Sequence, residues 1–387
     1  MNTRKLRVAI THGDINGISY EILLKIFADE RIFELFTPIL YGSARVATFW
    51  KEHLQLSEVS WQTIRLASEA KDGVLNLLDC TSGKETVHPG EPTAEAGESA
   101  FLALDRATAD IRMGLCDVLV TAPINKSVMP RDRFPFQGHT DYLEAAAAVV
   151  PGESLMVLAS GDCRVALATT HIPVKEVAEK LSPELITQKL RLLETGLQRD
   201  FGITKPRLAV LALNPHAGDK GLMGDEEERI LAPALKLADQ AGLLAFGPYP
   251  ADGFWGSGRI DTFDGILAMY HDQGLAPFKA LYMNEGVNVT LGLEFVRTSP
   301  DHGTSLVKGS QILPRCAALS IQLSISTEPD GAMMKRHAIR FVGSITIVAE
   351  MMSVSIPLRF LTNTSRLVLH PCLSTSTQPQ LVQGRHT

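Results

Sequence analysis

The sequence predicts an α/β fold built on a largely parallel sheet. Short apolar runs alternate with longer amphipathic segments up to about residue 305, and this alternation is typical of β-α-β units. Apolar runs bounded by polar or turn-forming residues indicate strands that are buried on both faces. Six such runs are LRVAI (6–10), PILY (38–41), DVLVT (117–121), RVALATT (164–170), LAVLALN (208–214) and GILAMY (265–270).

Two longer segments have the pattern of amphipathic helices. The first covers residues 94–113 and the second covers residues 183–200. Ser182 is expected to cap the second helix with its hydroxyl, and Pro183 suits the first helical position because its missing N–H needs no partner there.

Composition excludes several classes of protein. Of the 387 residues, 45% are apolar and 21% are charged, which excludes a mainly disordered chain. The net charge of −6 does not indicate a nucleic-acid partner. No apolar stretch is long enough to predict a membrane span. The five cysteines include no CxxC pair, so a reducing, cytoplasmic location is expected.

Three histidines stand in similar positions. His171, His216 and His271 each follow an apolar run and begin a turn-forming segment. Neutral imidazoles are good ligands for zinc and similar divalent ions, and three of them leave a coordination position open for substrate. A metal site and a purely structural role for these histidines both remain open from spacing alone.

Other polar residues in loop-like or strand-end contexts suit an anionic ligand. A cation, an arginine fork and hydroxyl or amide donors are what a phosphate or carboxylate requires. Carboxylates nearby could support a metal or accept a proton. The residues concerned are His139, Thr140, Lys279, Asn288 and Arg297, with Asp252 and Asp272 as the carboxylates. The segment Asp301–Thr304 is either a turn or a nucleotide-binding loop, whereas GxGxxG, P-loop, GxSxG and HExxH motifs are absent from the sequence.

Longer motifs identify a family. Over residues 5–305 the chain is similar to the 4-hydroxythreonine-4-phosphate dehydrogenases of vitamin B6 (pyridoxal phosphate) biosynthesis. The motifs that carry the resemblance are THGDINGISYE (11–21), TAPINK (121–126), GHTDY (138–142), TTHIPV (169–174), LNPHAGDKGLMGDEE (213–227), YPADGF (249–254), MYHDQGLAPFK (269–279) and GVNVTLGL…RTSPDHGT (286–304).

The resemblance implies an isocitrate/isopropylmalate-dehydrogenase-like fold, with two interleaved α/β subdomains and a cleft between them. It also implies a homodimer that builds each active site from both subunits, one divalent ion (Zn, Mg or Co), and NAD or NADP bound without a GxGxxG loop. The implied reaction oxidises 4-phosphooxy-L-threonine at C3. The product then loses CO2 to give 3-amino-2-oxopropyl phosphate.

The same resemblance assigns roles to individual residues. It makes His171, His216 and His271 the metal ligands, and it makes Lys279, Asp252 and Asp272 catalytic. The implied substrate-binding residues are His139, Thr140, Lys279, Asn288 and Arg297. The implied cofactor-binding residues are Asp301, His302, Gly303 and Thr304.

The chain departs from the family pattern after Thr304. Residues 1–305 carry a net charge of −11, whereas residues 306–387 carry +5. Codons permitted for Leu306 to Met334, read one base out of frame, spell AGQGIADPASM and further family-like sequence. We therefore hypothesise that a small deletion shifted the reading frame and left residues 306–387 poorly packed; a genuinely divergent tail is the alternative.

Three alternative functions remain open. A dehydrogenase of a related four-carbon phosphate, D-threonate or D-erythronate 4-phosphate, would share the metal and phosphate residues. A three-histidine metallohydrolase would act without NAD. A catalytically impaired variant would keep its ligands but lose turnover because of the altered tail.

Overall fold

The computed structural model describes residues 4–283, 285–301, 303 and 304, together with the backbone of two strands, Ala317–Ile321 and Ile345–Ala349. Most of the atypical tail, residues 306–387, therefore lies outside the described residues. The prediction that this tail packs poorly stays a prediction.

Twelve strands form one continuous sheet. Its order is β3-β4-β2-β1-β5-β12-β11-β6-β7-β10-β8-β9. The six runs predicted as strands coincide with β1, β2, β5, β7, β8 and β10. The strands are β1 Arg7–Thr11, β2 Thr37–Gly42, β3 Trp61–Ile64, β4 Leu75–Asp79, β5 Val118–Thr121, β6 Leu155–Ser160, β7 Cys163–Leu167, β8 Arg207–Leu211, β9 Leu244–Tyr249, β10 Gly265–Ala268, β11 Val287–Leu291 and β12 Val296–Pro300.

The two halves of the sheet run in opposite directions. Strands β3, β4, β2, β1, β5 and β12 are mutually parallel, and so are β7, β10, β8 and β9. Antiparallel pairing of β11 with β12 and β6, and of β6 with β7, reverses the direction at the centre. The strands of the two halves therefore have their carboxyl ends on opposite sides of the sheet. The sequence patterns of the individual strands do not indicate this reversal.

Ten α-helices of the described chain accompany the sheet. They are α1 Ser19–Phe27, α2 Ile32–Leu35, α3 Ala44–His53, α4 Ala94–Arg112, α5 His139–Ala147, α6 Val177–Lys180, α7 Pro183–Phe201, α8 Ala232–Gln240, α9 Ala251–Gly256 and α10 His271–Tyr282. Helices α4 and α7 confirm the two helix predictions. The Ser182 hydroxyl accepts a hydrogen bond from the Leu185 amide at 3.1 Å, and Pro183 occupies the first turn of α7 as predicted.

The two long helices bury one face each against the two halves of the sheet. On α7, Leu190, Leu193 and Leu197 are fully buried among residues of β6, β8 and β11. On α4, Ala103 and Ala107 are fully buried in the apolar cluster that includes residues of β1, β2 and β5. Small side chains on α4 and larger ones on α7 set how closely each helix approaches the sheet, because interiors are close-packed.

The described part of the tail is limited to backbone. Strands β13 (Ala317–Ile321) and β14 (Ile345–Ala349) pair antiparallel as a separate two-stranded sheet. Within the described residues, no helix has both the length and the apolar character needed to cross a membrane.

One buried histidine sits directly after β1. The His12 ring is fully buried, its Nε2 lies 3.1 Å from the Ser99 carbonyl oxygen, and its edge contacts the Tyr20 ring. Burial lowers the pKa of His12 to about 4, although the Ser99 carbonyl and the charges of Glu85 and Asp79 oppose the shift. The folded protein therefore holds this imidazole neutral over most of the pH range.

We predict that His12 makes the fold acid-sensitive. An unfolded imidazole titrates near pH 6.5, so between about pH 6.5 and pH 4 the unfolded chain binds the extra proton. The free energy of unfolding should fall over this interval by up to about 3 kcal/mol from this group. Urea unfolding between pH 7 and pH 4.5 measures the slope. The slope should flatten in His12→Gln and not in the exposed control His53→Gln; equal slopes in both variants would contradict the prediction.

Candidate active site

A cavity of about 430 Å³ lies over the central strands, where the sheet reverses direction. Its floor is one face of β5, β12, β11 and β6, and its walls come from the loop after β5, the start of α5 and one face of α10. The floor residues that line it are Thr121, Met156, Asn288, Arg297 and Ser299. The wall residues include Pro123, Ile124, Lys126, Gly138, His139, Thr140, Asp141, His171, His271, Leu275, Lys279, Asp301 and Gly303.

Strand register explains why the floor is polar. Thr290 lies opposite Arg297 and Asn288 lies opposite Ser299 in the β11–β12 pair, so all four side chains project from the same face. On the other face, Val287, Val289 and Leu291 are buried in the apolar core. The period-two alternation of VNVTL therefore marks a strand with one apolar face and one face lining the cavity.

Arg297 is the central group of the floor. Its side chain is only 2% exposed. Nη1 donates to Thr290 Oγ1 at 2.9 Å, while Nη2 and Nε donate to Thr121 Oγ1 at 2.6 and 3.2 Å. No carboxylate of the described residues pairs with it, and burial lowers the pKa of Arg297 to about 9. A buried guanidinium that has only neutral hydroxyl partners is costly unless an anion joins it.

Two further polar atoms in the cavity wall and floor are buried without a hydrogen-bond partner in the described chain. They are Nε2 of His139, the first residue of α5, and Oδ1 of Asn288. Burial, followed by the charges of Arg297 and Lys126, lowers the pKa of His139 well below its usual value. A neutral imidazole and an amide oxygen supply hydrogen bonds to a polar ligand. The start of α5 adds backbone N–H groups that favour an anion.

His171 and His271 lie together at the other end of the cavity. They follow the neighbouring parallel strands β7 and β10, and their ring centroids are 5.9 Å apart. The Nδ1 atom of His271 lies 2.7 Å from Asp272 Oδ1, which leaves Nε2 for another partner. Burial, Lys126 and His271 lower the pKa of His171. Two adjacent imidazoles, one oriented by a carboxylate, suit the chemistry of a divalent ion.

The structure does not bring His216 into this pair. Among the described residues, no group of three or more histidine, cysteine or carboxylate side chains is placed to share an ion. His216 follows β8, the strand next to β10, and is exposed on a loop. Its backbone has φ of 53°, and Ala217, Asp219 and Lys220 also have positive φ. Such a run of strained residues persists only where surrounding structure holds it.

Side chains of Asn214 and Glu227 hold that loop from beneath. The backbone N–H of Asn214 donates to Glu227 Oε1 at 2.7 Å, and the side-chain Nδ2 of Asn214 donates to Glu227 Oε2 at 3.0 Å. Glu227 is itself buried. Beyond this anchor, Leu222 is 77% exposed and Met223 is 43% exposed, so the loop that carries His216 also presents apolar side chains to its surroundings.

The segment after β12 links the cavity to the loop between β1 and α1. Lys279 Nζ and Asp301 Oδ2 form an ion pair at 3.0 Å, and both residues line the cavity together with Gly303. The Thr304 carbonyl accepts a hydrogen bond from the Ile18 amide at 3.1 Å. A Cβ on Gly17 would lie 2.7 Å from that carbonyl oxygen, so glycine is needed for the close approach. His302 lies outside the described residues.

Nine of the candidate site residues therefore line one cavity, and four others, His216 among them, lie outside it. Asp272 contacts His271 from outside the cavity, Asp252 is exposed on α9, and Thr304 packs on the loop after β1. Their assigned roles remain predictions. The sequence reasoning missed Lys126, although it lies within the quoted motif TAPINK, and it missed Thr121 and Ser299, which the strand alternation could have indicated.

Comparison with known proteins decides the family. The family model described as "Pyridoxal phosphate biosynthetic protein PdxA" matches residues 34–311. The chain belongs to this family. The model ends close to residue 305, where the composition changes, and the predicted family membership is confirmed.

Individual relatives agree with the family model. A 4-hydroxythreonine-4-phosphate dehydrogenase of Bacteroides thetaiotaomicron is 51% identical over 305 residues, which cover 79% of this chain and 83% of the relative. One from Prosthecochloris aestuarii is 42% identical over 305 residues, covering 77% and 89%. The crystal structure of the enzyme of that name from Klebsiella pneumoniae gives a TM-score of 0.67 at 32% identity, covering 78% of this chain and 92% of that chain.

These similarities confirm the predicted fold class, a mostly parallel α/β sheet flanked by helices, and the prediction of an oxidoreductase. The names of the relatives identify neither the nicotinamide cofactor nor the metal.

We predict that Arg297 contributes to ligand binding at a cost in stability. Arg297→Met removes a buried charge that lacks a carboxylate partner, so the free energy of unfolding without ligand should stay the same or rise. Affinity for inorganic phosphate should fall by roughly 10-fold or more, since charge-assisted hydrogen bonds of about 1.5–3 kcal/mol are lost. Urea unfolding and calorimetric titration measure the two effects. A large loss of stability together with unchanged phosphate affinity would show that Arg297 is structural.

Proposed function

We propose that this chain is a metal- and NAD(P)-dependent dehydrogenase that oxidises 4-phosphooxy-L-threonine at C3, with subsequent decarboxylation to 3-amino-2-oxopropyl phosphate. The observation that carries the proposal is the joint placement, in one cavity, of a buried guanidinium without a carboxylate partner among the described residues and a pair of adjacent imidazoles. The first suits a phosphate and the second suits a divalent ion. Similar proteins named for this substrate support the assignment.

The chain's own residues would position the substrate by its two ends. The phosphate would meet Arg297 on the floor and His139 and Thr140 at the start of α5. Asn288 Oδ1, which lacks a partner within the described chain, would accept a hydrogen bond from the substrate ammonium or hydroxyl. Binding energy from the remote phosphate would then fix the reacting carbon near His171 and His271.

The reaction balances with NAD or NADP as the hydride acceptor. The C3 alcohol loses a hydride to the nicotinamide and a proton to a base, and the resulting β-keto acid loses CO2 and takes up one proton. A divalent ion (Zn, Mg or Co) in the site supplies a Lewis acid that lowers the pKa of a bound alcohol and stabilises negative charge. Lys279, held by Asp301 at 3.0 Å, supplies fixed positive charge or transfers a proton, and Asp252 and Asp272 are the further catalytic candidates.

The cofactor contacts are proposed for Asp301, His302, Gly303 and Thr304. Two of these, Asp301 and Gly303, line the cavity beside Lys279. We also propose that the reading frame changed after Thr304, so that this chain lacks the family segment that normally continues the dinucleotide site. The end of the family match at residue 311 supports this proposal.

The test is the appearance of NADH on adding 4-phosphooxy-L-threonine, NAD+ and a divalent ion, compared with NADP+ and with chelator present. We expect turnover that chelation abolishes, and at least 10-fold higher kcat/KM when the frame after Thr304 is restored. Equal activity of both chains would contradict the proposed role of the tail. Turnover only with D-threonate or D-erythronate 4-phosphate, or NAD-independent hydrolysis, would replace the proposed substrate or reaction.

The metal site is proposed to be completed across a homodimer, with His216 of the partner subunit as the third ligand. Three observations support this: no three-ligand group forms within the described chain, the His216 backbone is strained, and the neighbouring Leu222 is exposed. Leu222 and Met223 are adjacent exposed apolar side chains, and burial against a second subunit would cover them. Backbone strain clusters at functional sites, which fits a ligand role for His216.

Mixing two inactive variants tests the shared site. His171→Ala and His216→Ala should each bind less metal and lose activity. If each site takes His171 and His271 from one subunit and His216 from the other, a mixed dimer keeps one intact site. Unfolding and refolding the two variants together should then restore about a quarter of wild-type activity, because half of the dimers are mixed at random. No restoration would place all three ligands in one chain.

A further inference from the structure

Lys126 is a cation of the cavity wall that none of the roles above uses. It lies in the loop after β5 and lines the cavity with Arg297 and Lys279. The other two cations already have partners, since Thr121 and Thr290 accept hydrogen bonds from Arg297 and Asp301 pairs with Lys279. Within the described part of the chain, no carboxylate lies within ion-pair distance of the Lys126 ammonium.

The Lys126 side chain reaches the start of α5. Its Cε and Nζ atoms lie 3.3 and 3.5 Å from the point that a Cβ on Gly138 would occupy. Gly138 directly precedes His139, the first residue of this nine-residue helix. A side chain at position 138 would crowd the ammonium, so glycine leaves it room beside the first N–H groups of α5. These N–H groups have no partner within the helix and favour negative charge.

Lys126 lines the same cavity as Arg297 and His139. Burial, then the charge of Arg297 and then that of Lys126 lower the pKa of His139. Both cations therefore act on the histidine that begins α5, which agrees with the position of Lys126 beside Gly138.

We propose that Lys126 is a further phosphate-binding residue, which holds the substrate phosphate from the wall of the cavity while Arg297 holds it from the floor. This inference rests on the proposed function, because it assigns the phosphate of the substrate to a third group besides Arg297 and the start of α5. A phosphate monoester carries close to two negative charges at neutral pH. Two cations without carboxylate partners among the described residues, Arg297 and Lys126, match that charge, whereas Lys279 already has Asp301 as an ion-pair partner.

Calorimetric titration of the full-length protein with inorganic phosphate tests the inference without cofactor or turnover. Lys126→Met should weaken phosphate binding by roughly 10-fold or more, as expected for loss of a charged hydrogen-bond donor. Lys126→Arg, which keeps the charge, should recover most of the affinity. Lys236→Met removes the same charge from the exposed surface of α8 and should bind phosphate like the wild type.

Two results would overturn the inference. One is a wild type that binds no phosphate. The other is equal phosphate affinity in Lys126→Met and the wild type; if kcat falls nonetheless, Lys126 acts at the reacting carbon. Phosphate binding that depends on Lys126, in a protein that fails to oxidise 4-phosphooxy-L-threonine, would contradict the proposed function and leave this inference intact.

Discussion

The contact on which the cavity depends is the seating of the Arg297 guanidinium between the hydroxyls of Thr121 and Thr290. This arrangement takes a permanent charge out of water and gives it only neutral partners. Burying it is possible because three neighbouring strands hold the groups in register: β5 supplies one threonine, β11 supplies the other, and β12 supplies the arginine. The buried guanidinium therefore lowers the stability of the protein without ligand and raises its affinity for an anion.

Around this charge, two histidines of the cavity stay neutral and Lys279 is paired, whereas Lys126 adds a second cation without a carboxylate partner among the described residues. His139 and His171 are neutral because burial and neighbouring cations disfavour their protonation, and Lys279 is matched by Asp301. The cavity of about 430 Å³ thus contains both neutral imidazoles and a guanidinium without a carboxylate partner among the described residues, and these groups suit different ligands. One end of the cavity attracts negative charge, and the other end offers lone pairs to a cation.

Much of this could be predicted from the sequence, and the limits have physical causes. Apolar runs located the six strands named in advance because strands buried on both faces have a simple signature. The strands of the centre, β6, β11 and β12, were harder. In β11 polar and apolar residues alternate, and β12 (VRTSP) is mostly polar, because both strands line a cavity with one face. Lys126 was missed because a lysine after a strand has the same local signature whether it faces solvent or a ligand. Asp252 is the opposite case. It lies in a motif that resembles the family, but it is exposed on α9 and does not line the cavity within the described chain.

The reversal of the sheet at its centre has a consequence for how such a site diversifies. The floor that seats Arg297 belongs to strands held by backbone ladders on both sides, so substitutions there disturb the whole sheet. The walls come from loops and helix starts after β5, β7 and β10, and such connecting segments tolerate change better than the strands that they join. The strands of the floor thus recognise the anionic group that the substrates share. The loops and helix starts of the walls discriminate among the remaining substituents. Paralogues with this architecture should therefore keep the site for the anionic group and differ in the rest of the substrate that they bind.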